Sequence, residues 1–405
     1  MGLGSTTAPL RAELAAALPE RPFSLRFWDG STLSSTTGEG PAFTARSPRA
    51  VAYALLAPGQ LGLGRAYVAG ELEVDDIDAV LALLRDWSPP AVDGGARRRL
   101  LLAAVRATGL MRPPRPPAAE LRPRGRRHSV ARDARAVRHH YDVSNDFFEL
   151  FLGDSMTYSC AIFEDPSSEA EPLERAQERK LELVCAKLAL RPGERVLDVG
   201  CGWGSFAIHA AARHGVDVVA ITLSEPQAAS ARERARAAGV AERVEIRVAD
   251  YRELADERFD AIASIGMVEH VGEARIDRYA AGLAALLGPG GRLLNHGIAR
   301  LRHDASDTGA FSQRYVFPDA LPLHLSRVLL ALERAGLVCE HVEGFAEHYA
   351  RTLAHWAARL DANAAEAERL AGAERLRVWR LYLRAARNGF QTGFTSIYQV
   401  RCRRP

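Results

Sequence analysis

The sequence of 405 residues has few cysteines, almost no lysine and no long apolar run. Its five cysteines are Cys160, Cys185, Cys201, Cys339 and Cys402, and none forms a CxxC pair or a Cys/His spacing typical of a zinc site. Such a sparse, odd-numbered set predicts reduced thiols in the cytosol, and we expect no metal. Because no apolar stretch is long enough to cross a bilayer, we do not expect a transmembrane protein.

Charge and composition are those of an ordinary globular protein. There are 53 basic and 50 acidic residues, and hydrophobic residues make up 47% of the chain. This length predicts two or three domains. Lys180 and Lys187 are the only lysines, so almost every basic residue is an arginine, and an arginine at a given place carries less information than usual.

Three segments differ in character. Residues 1–88 mix short strand-like and helix-like pieces, among them a hairpin at Phe23–Trp28 with the turn Asp29-Gly30 and a helix at Asp76–Leu84. Residues 89–130 are rich in proline and arginine and predict a basic linker, with one helix near Arg97–Thr108. Residues 131–405 form the third segment, which we expect to be a catalytic domain.

From Leu173 onwards, strands alternate with helices. This alternation predicts an α/β fold with a doubly wound parallel sheet. The predicted elements are helix Leu173–Leu188, strand Arg195–Val199, helix Phe206–Arg213, strand Val216–Thr222, helix Pro226–Ala238, strands Val244–Val248 and Phe259–Ser264, helix Ala274–Leu287, strand Gly291–Ile298, an amphipathic helical stretch Asp361–Ala386 and a terminal strand Gly393–Arg401.

A glycine loop follows the first of these strands. Val196–Val199 leads directly into Gly200, Gly202 and Gly204, and a helix begins immediately afterwards. Glycines let the backbone turn tightly and approach a ligand, and the helix start offers free N–H groups. The spacing GxGxG preceded by Asp198 resembles motif I of class I S-adenosylmethionine-dependent methyltransferases, although a glycine turn without a ligand is the alternative interpretation.

This resemblance implies a set of cofactor-binding residues. Asp198 would engage the ammonium group, polar residues after the second strand would lie near the ribose, and those after the third near the adenine, since ligands bind at the carboxyl ends of such strands. The set is Tyr158, Ser159, Asp198, Gly200, Cys201, Gly202, Gly204, Thr222, Ser224, Gln227, Asp250 and Tyr251.

Segments outside the glycine loop restrict the resemblance to one family of these methyltransferases. They are His140–Leu150, Met156–Ala161, Gly266–Gly272, Asn295–Ile298, Tyr315–Asp319 and Glu347–Leu353. In this order they resemble the cyclopropane-fatty-acyl-phospholipid synthase family, from about His139 to the C-terminus. Leu61–Gly70 also looks like the small α+β N-terminal domain of that family, which is associated with lipid binding. The resemblance therefore implies a Rossmann-like methyltransferase sheet joined to a lipid-binding domain.

The resemblance also implies a chemistry. The methyl group of S-adenosylmethionine is transferred to a cis double bond in a fatty acyl chain of a phospholipid, and bound bicarbonate takes a proton from the resulting carbocation. The ligands of bicarbonate map onto Cys160, Glu269, His296, Tyr349 and the backbone of Ile298. Four aromatic residues, Tyr158, Phe163, Tyr315 and Phe317, either face the cation or simply pack in the core. His139, His140 and His270 are interpreted as structural.

The short segment that directly precedes Phe390 differs from that of many relatives. Several relatives carry a cysteine there that was suspected as a nucleophile, whereas this sequence reads Arg384-Ala385-Ala386-Arg387-Asn388-Gly389. A covalent cysteine mechanism at that position is therefore excluded. Val268 also stands where phenylalanine is frequent, which could alter the fate of the cation.

Several alternatives stay open at the level of sequence. The cation can close to a cyclopropane, or a hydride shift can yield a methylene group that is later reduced to a methyl branch. A small-molecule methyltransferase on the same fold is a second hypothesis. Nucleic-acid binding by the arginine run Arg112–Arg138 is a third, which no binding motif or aromatic interleaving supports. We favour another role for that run, which is attraction to an anionic membrane surface. We therefore expect a cytoplasmic protein that binds transiently to the inner face of the membrane. A homodimer is possible.

Overall fold

The computed structural model describes residues 7–57, 59–109, 113–121, 144–168, 170–254, 257–301, 310–316 and 322–405. The chain divides into two compact units. Unit 1 comprises Met1–Leu121, Gly309–Tyr315 and Gly372–Ala385, and unit 2 comprises Arg122–Thr308, Val316–Ala371 and Ala386–Pro405.

The N-terminal part of unit 1 combines helices with a small sheet. Its elements are α1 (Ala8–Ala17), β1 (Ser24–Arg26), β2 (Thr32–Leu33), β3 (Ala42–Ala45), α2 (Pro48–Leu56), α3 (Gln60–Val68), β4 (Leu72–Val74), α4 (Ile77–Asp86) and α5 (Gly94–Thr108). The strand order is β2-β1-β3-β4, in which β1 and β3 are parallel and the outer pairs are antiparallel. The predicted hairpin is confirmed, because β1 and β2 pair across the turn Asp29-Gly30.

The remaining elements follow in the rest of the chain. They are α6 (Asn145–Leu152), α7 (Leu173–Leu188), β5 (Arg195–Val199), α8 (Ser205–His214), β6 (Asp217–Thr222), α9 (Glu225–Ala237), β7 (Val244–Val248), β8 (Phe259–Ile265), α10 (Ile276–Leu286), β9 (Leu287–Arg300), α11 (Ala310–Tyr315), β10 (Leu323–His324), α12 (Leu325–Arg334), β11 (Val338–Gly344), α13 (Ala346–Ala362), α14 (Ala364–Ala371), α15 (Ala373–Gln391) and β12 (Thr395–Arg403). Short 3-10 turns cover Tyr251–Glu253, Val268–His270 and Glu273–Arg275.

Helix α5 lies inside the segment expected to be a linker. Its alanines Ala103, Ala104 and Ala107 are buried against Leu10 of α1 and Phe27. Small side chains let two helices approach closely, so this helix contributes to the core of unit 1. The sequence suggests a boundary after residue 88, whereas the first segment of unit 1 extends to Leu121.

Unit 1 also takes in residues from near the C-terminus. Arg377 on α15 forms a bidentate ion pair with Glu73 on β4, with distances of 3.1 and 2.5 Å. The backbone N–H of Ala119 donates to the carboxylate of Glu374 at 2.9 Å. These contacts explain why Gly372–Ala385 belongs to unit 1, although the expected catalytic domain ran unbroken from 131 to 405.

Unit 2 is built on an eight-stranded sheet in the order β11-β12-β9-β8-β5-β6-β7, and β10 pairs with β9. The strands β9, β8, β5, β6 and β7 are mutually parallel. The predicted parallel arrangement is confirmed for these five strands, whereas at the other edge β12 runs antiparallel to β9 and β11 antiparallel to β12. Here β11 and β12 join the sheet without the right-handed crossover that parallel neighbours require.

Helices cover both faces of this sheet. Val196 and Leu197 are adjacent in β5, yet they belong to two different buried clusters. Alternate side chains of a strand point to opposite faces, so two separate cores confirm the doubly wound prediction.

Most predicted elements of unit 2 are confirmed to within a few residues, but the C-terminal helices differ. The sequence pattern missed α13 (Ala346–Ala362), and the single stretch Asp361–Ala386 is two helices, α14 and α15. Gly372 separates them with a φ of 81°, a conformation that glycine adopts without strain. Among the described residues, no helix has both the length and the apolarity needed to span a membrane.

Candidate active site

The glycine loop turns the chain sharply between β5 and α8. Gly200, Gly202 and Gly204 have φ values of 81°, 54° and 82°, in the left-handed region that disfavours other residues. The backbone N–H groups of Gly200 and Cys201 both donate to the carbonyl of Ile221, at 3.0 and 2.9 Å. The loop is thus held against the end of β6.

A pocket opens at the carboxyl ends of β5 to β8. Six of the twelve predicted cofactor residues line it, namely Gly200, Gly202, Thr222, Gln227, Asp250 and Tyr251. Eight further lining residues were not among the predicted cofactor residues, namely Val199, Ile221, Leu223, Ala249, Arg252, Gly266, Met267 and His270. The order of the strands explains this convergence, because parallel strands place their carboxyl ends at one edge of the sheet.

Polar contacts hold the pocket in shape. Thr222 Oγ1 donates to Gln227 Oε1 at 2.9 Å, and Arg252 Nε donates to Asp250 at 2.7 Å. Burial raises the pKa of Asp250, but the hydrogen bonds from Arg252 together lower it by more. The pKa therefore lies below its ordinary value, and the carboxyl group stays ionised. Ser224 caps α9, because its side chain accepts from the backbone N–H of Gln227.

Asp198 is buried inside β5 beneath the loop. Burial raises its pKa to about 7, and the nearby Lys180 opposes this shift. Its Oδ2 accepts no hydrogen bond from any described residue. A buried carboxylate oxygen without a donor is suited to a cationic partner, such as the ammonium group of the expected cofactor.

Lys180 is a residue that the sequence gave no reason to select. It is 1% exposed, and its ammonium donates to Ser159 Oγ at 2.9 Å. Burial lowers its pKa to about 8, and its electrostatic interactions with Cys160 and Asp198 oppose this shift. One buried cation thus lies between the residues expected to bind cofactor and the residues expected to bind anion.

The other predicted cofactor residues lie outside the described lining of this pocket. The ring of Tyr158 stacks obliquely on Trp356 with centroids 5.2 Å apart, and Cys201 is a buried side chain. A Cβ on Gly204 would lie 3.1 Å from Ala231, which shows how closely α9 packs against the loop. Ser159 is held by its carbonyl, which accepts from Gln177 Nε2 at 2.9 Å.

A second polar cluster forms where the turn Val268–His270 meets β9. Glu269 Oε1 accepts a hydrogen bond from the backbone N–H of Ile298 at 2.8 Å. Its Oε2 is buried and has no hydrogen-bond partner among the described residues. Burial raises the pKa of Glu269 to about 7, so near neutral pH this carboxyl can either donate or accept a proton.

His296 lies two residues before Ile298, on the same face of β9. The amide Nε2 of Gln399, its cross-strand partner on β12, donates to His296 Nδ1 at 3.1 Å. This bond places the imidazole proton on Nε2, and that atom is buried without a partner in the described residues. Burial first, then the charges of Lys180 and Lys187, lower the pKa of His296 to about 3, so it is a neutral donor.

Cys160 and Tyr349 approach this region from two other segments. Cys160 Sγ donates to the carbonyl oxygen of Ala161 at 3.2 Å and lies 3.8 Å from the carbonyl oxygen of Phe345. The ring centroids of Phe345 and His296 are 6.4 Å apart. Tyr349 is one helical turn after Phe345 on α13. Burial raises the pKa of the Cys160 thiol, so it is a neutral donor and not a thiolate nucleophile.

The aromatic residues divide between core and site. Tyr349 packs on Trp356 at 6.0 Å and, at 4.7 Å, on Phe390, which directly follows the segment that lacks the relatives' cysteine. Phe163 stacks on His355 at 5.4 Å. Tyr315 belongs to unit 1, where its hydroxyl donates to Glu120 at 3.2 Å. Phe317, His139 and His140 fall outside the described residues.

These buried groups can bind a small oxyanion. The thiol of Cys160 and the Nε2–H of His296 are donors, and Glu269 can accept a hydrogen bond from a protonated oxygen or donate one. Thr352 Oγ1 accepts from the N–H of Ala161 at 3.0 Å and so fastens the Cys160 segment to α13. Gln399, Phe345 and Thr352 were missed because their roles come from contacts with residues far away in the chain.

The chain is similar in sequence and in fold to known proteins. The family model described as mycolic acid cyclopropane synthetase matches residues 128–400. A probable fatty acid methyltransferase of Mycobacterium tuberculosis is 40% identical, covering 96% of this chain and 92% of the relative. The cyclopropane-fatty-acyl-phospholipid synthase of Escherichia coli K12 is 33% identical, covering 85% and 84%. A solved mycolic acid cyclopropane synthase complexed with SAH and CTAB has a TM-score of 0.63 at 32% identity, covering 67% of this chain and 98% of that chain.

Proposed function

Because this chain belongs to the mycolic acid cyclopropane synthetase family of S-adenosylmethionine-dependent methyltransferases, we propose that it methylates the cis double bond of an unsaturated fatty acyl chain in a phospholipid. In this proposal the product closes to a cyclopropane. The observation that carries it is the buried set of Cys160, Glu269 and His296, which presents two neutral donors and one carboxyl of raised pKa.

The cofactor would be held by the pocket at the glycine loop. Gly200 and Gly202 allow close approach of the backbone, Asp198 offers its buried oxygen to the ammonium, and Thr222, Gln227, Asp250 and Tyr251 supply polar and aromatic contacts. When bound, S-adenosylmethionine supplies an electrophilic methyl group on a sulfonium.

The protein must compensate for a poor nucleophile. An alkene attacks the methyl carbon only when the two are held together in a dry pocket. One C–C bond forms and the S–C bond breaks, which leaves a cation on the acyl chain. The cation then loses a proton from the new methyl group as the second C–C bond closes the ring, so a base must lie close to it.

Bicarbonate is the base in our proposal. Cys160, His296, Glu269 and Tyr349 would hold it, and when bound it supplies an oxygen that accepts the proton. The Ile298 N–H donates to Glu269 in this structure, so we assign Ile298 the task of orienting that carboxyl. Gln399 orients His296 in the same way, by keeping the proton on Nε2.

A methylene or methyl-branched product is the second candidate. The relative at 40% identity is named a fatty acid methyltransferase and not a cyclopropane synthase. In that outcome a hydride shift precedes loss of the proton, and the ring does not close. The cyclopropane and the methylene product both gain the mass of one CH2 group, so mass alone does not separate these two, whereas a methyl branch formed by later reduction is heavier by two hydrogens.

Further proposals concern the surroundings of the site. Residues 1–88, with Leu61–Gly70 at their centre, are proposed to bind lipid, and the arginine-rich segment is proposed to attract the chain to an anionic membrane. The protein would then work at the inner face of the cytoplasmic membrane, as a monomer or a homodimer.

The test is an assay with purified full-length protein, S-adenosylmethionine, bicarbonate and vesicles. Dioleoyl phospholipid should gain one CH2 group per modified chain by mass spectrometry, whereas dipalmitoyl phospholipid should not. Oxidative cleavage of the product then separates a methylene group, which is cleaved, from a ring, which resists.

Matched variants sharpen the result. Glu269→Gln and His296→Gln should each lower turnover at least a hundredfold, while His341→Gln, at an exposed histidine on β11, should leave it unchanged. No mass gain in dioleoyl phospholipid would contradict the proposal. Full turnover by Glu269→Gln on a soluble acceptor would favour the small-molecule methyltransferase instead.

A further inference from the structure

A cluster of metal-binding side chains lies on α7 and α8, and none of its members lines the pocket at the glycine loop. The thiol of Cys185 and the imidazoles of His209 and His214 bring one ligand atom each to within 4.8 Å of one another. Cys185 lies on α7, and the two histidines lie on α8. The sequence offers no familiar zinc spacing, because the ligands come from two helices.

A carboxylate completes the cluster. Glu182 Oε2 lies 3.1 Å from Nε2 of His209 and 3.1 Å from Nε2 of His214. Glu182 and Cys185 are three residues apart, so they share one face of α7. Two imidazoles thus converge on a single carboxylate oxygen beside a thiol, a donor set of nitrogen, sulfur and oxygen.

We propose that Cys185, His209, His214 and Glu182 form a binding site for Zn²⁺ or a similar borderline divalent ion. Zinc prefers four such ligands in a tetrahedron, with ligand atoms about 3.3–3.6 Å apart. Binding would draw the ligand atoms of Cys185, His209 and His214, which lie within 4.8 Å of one another, to these separations.

The surroundings suit such an ion. His209 and His214 are 10% and 21% exposed and Glu182 is 52% exposed, so solvent reaches the cluster from one side. Cys185 forms the buried base, packed among the alanines of α8. The neighbouring cation Arg213 is paired with Glu178 at 3.1 Å, which leaves the charge of Glu182 to the histidines.

The site would connect the two helices that flank β5. Helix α8 starts directly after the glycine loop at Ser205 and ends at His214, so an ion at its last turn would fasten its far end to α7. The inference is independent of the proposed reaction, because none of the four residues lines the pocket at the glycine loop.

The experiment measures metal binding by the full-length protein, first stripped with chelator. Zn²⁺ titration followed by native mass spectrometry should show one ion per chain, and Co²⁺ should give the thiolate-to-metal absorption band of a bound cysteine. Zn²⁺ should also raise the midpoint of thermal unfolding.

Variants identify the ligands. His209→Gln and His214→Gln, at partly exposed positions that should not perturb folding, are expected to weaken Zn²⁺ binding at least tenfold, and Cys185→Ser should abolish the Co²⁺ band. Cys339→Ser and His341→Gln serve as matched controls and should bind as the unmodified protein does. Equal affinity in the histidine variants and the unmodified protein, or a Co²⁺ complex without the thiolate band, would overturn the proposal.

Discussion

At the scale of single residues, burial sets the chemistry of the site. Asp198 and Glu269 both have pKa values raised to about 7, whereas the pKa of His296 is lowered to about 3. Desolvation is the largest cause in all three, and it favours the uncharged form of each group. Near neutral pH His296 is therefore uncharged, whereas Asp198 and Glu269 are each close to half ionised.

Glu269→Gln should change how stability depends on pH. Since the folded pKa is raised from 4.5 to about 7, the carboxyl stabilises the fold fully below about pH 4.5, and that stability is lost as the pH rises through 7. The free energy of unfolding of the variant should fall less over this range than that of the unmodified protein, by about 3 kcal/mol at most. Urea unfolding at several pH values measures the difference.

The exposed Glu233 provides the control for this measurement. Glu233→Gln should leave the pH dependence as it is, because this side chain lies in solvent on α9. Parallel curves for Glu269→Gln and the unmodified protein would mean that Glu269 ionises in the folded state as it does in the unfolded chain.

Residue roles were only partly predictable. The glycines and Glu269 belong to local patterns that can be recognised in one segment. Lys180 and Gln399 could not be selected, because an isolated lysine or glutamine carries no signal until the fold places it beside Ser159 or His296.

At the scale of elements, the contact between β9 and the turn Val268–His270 positions Glu269. A Cβ added to Gly297 would lie 2.2 Å from Val268 Cγ1 and 3.5 Å from Val268 Cβ. Gly297 thus permits the turn to approach the strand closely enough for Glu269 to reach the N–H of Ile298.

Gly297→Ala should therefore destabilise the protein by about 1–3 kcal/mol, because the added methyl group overpacks this contact. Val268→Ala removes the clashing methyl groups, so the double variant should recover most of the loss. Thermal and urea unfolding of both single variants and the double variant form a double-mutant cycle. Gly94→Ala, where an added Cβ meets nothing within 4 Å, is the control.

Additive changes in the free energy of unfolding for Gly297→Ala and Val268→Ala would contradict this account. If the double variant lost the sum of the two single effects, Val268 would not be the residue that Gly297 accommodates. The turn itself could be recognised from the sequence motif, but its distance from β9 could not.

At the scale of the whole molecule, the arginine-rich segment is a proposed membrane attachment. Most of it lies outside the described residues, but Glu120, within the run, is 1% exposed at its side chain and pairs with Arg65 at 2.6 Å in unit 1. Deleting 112–127 would remove this buried pair as well as the arginines, and so would confuse folding with binding.

Charge substitution separates the two effects. Replacing Arg122, Arg124, Arg126 and Arg127 by serine should weaken binding to anionic vesicles at least tenfold, since each basic residue near the surface contributes on the order of 1 kcal/mol. Vesicle sedimentation at rising salt measures this, and binding of the unmodified protein should fall with salt. Arg236→Ser, at an exposed position on α9, is the control, and unchanged binding by the fourfold variant would refute the role.

The sequence alone determined the alternation of strands and helices in unit 2, the glycine loop and the family, because these depend on periodicity and on spacing within short segments. Only the tertiary structure decided that Gly372–Ala385 belongs to unit 1, that β12 runs antiparallel to β9, and that Cys185 meets His209 and His214. Each of these depends on contacts between residues far apart in the chain, and no local pattern of side chains records which distant partner will bury a given group.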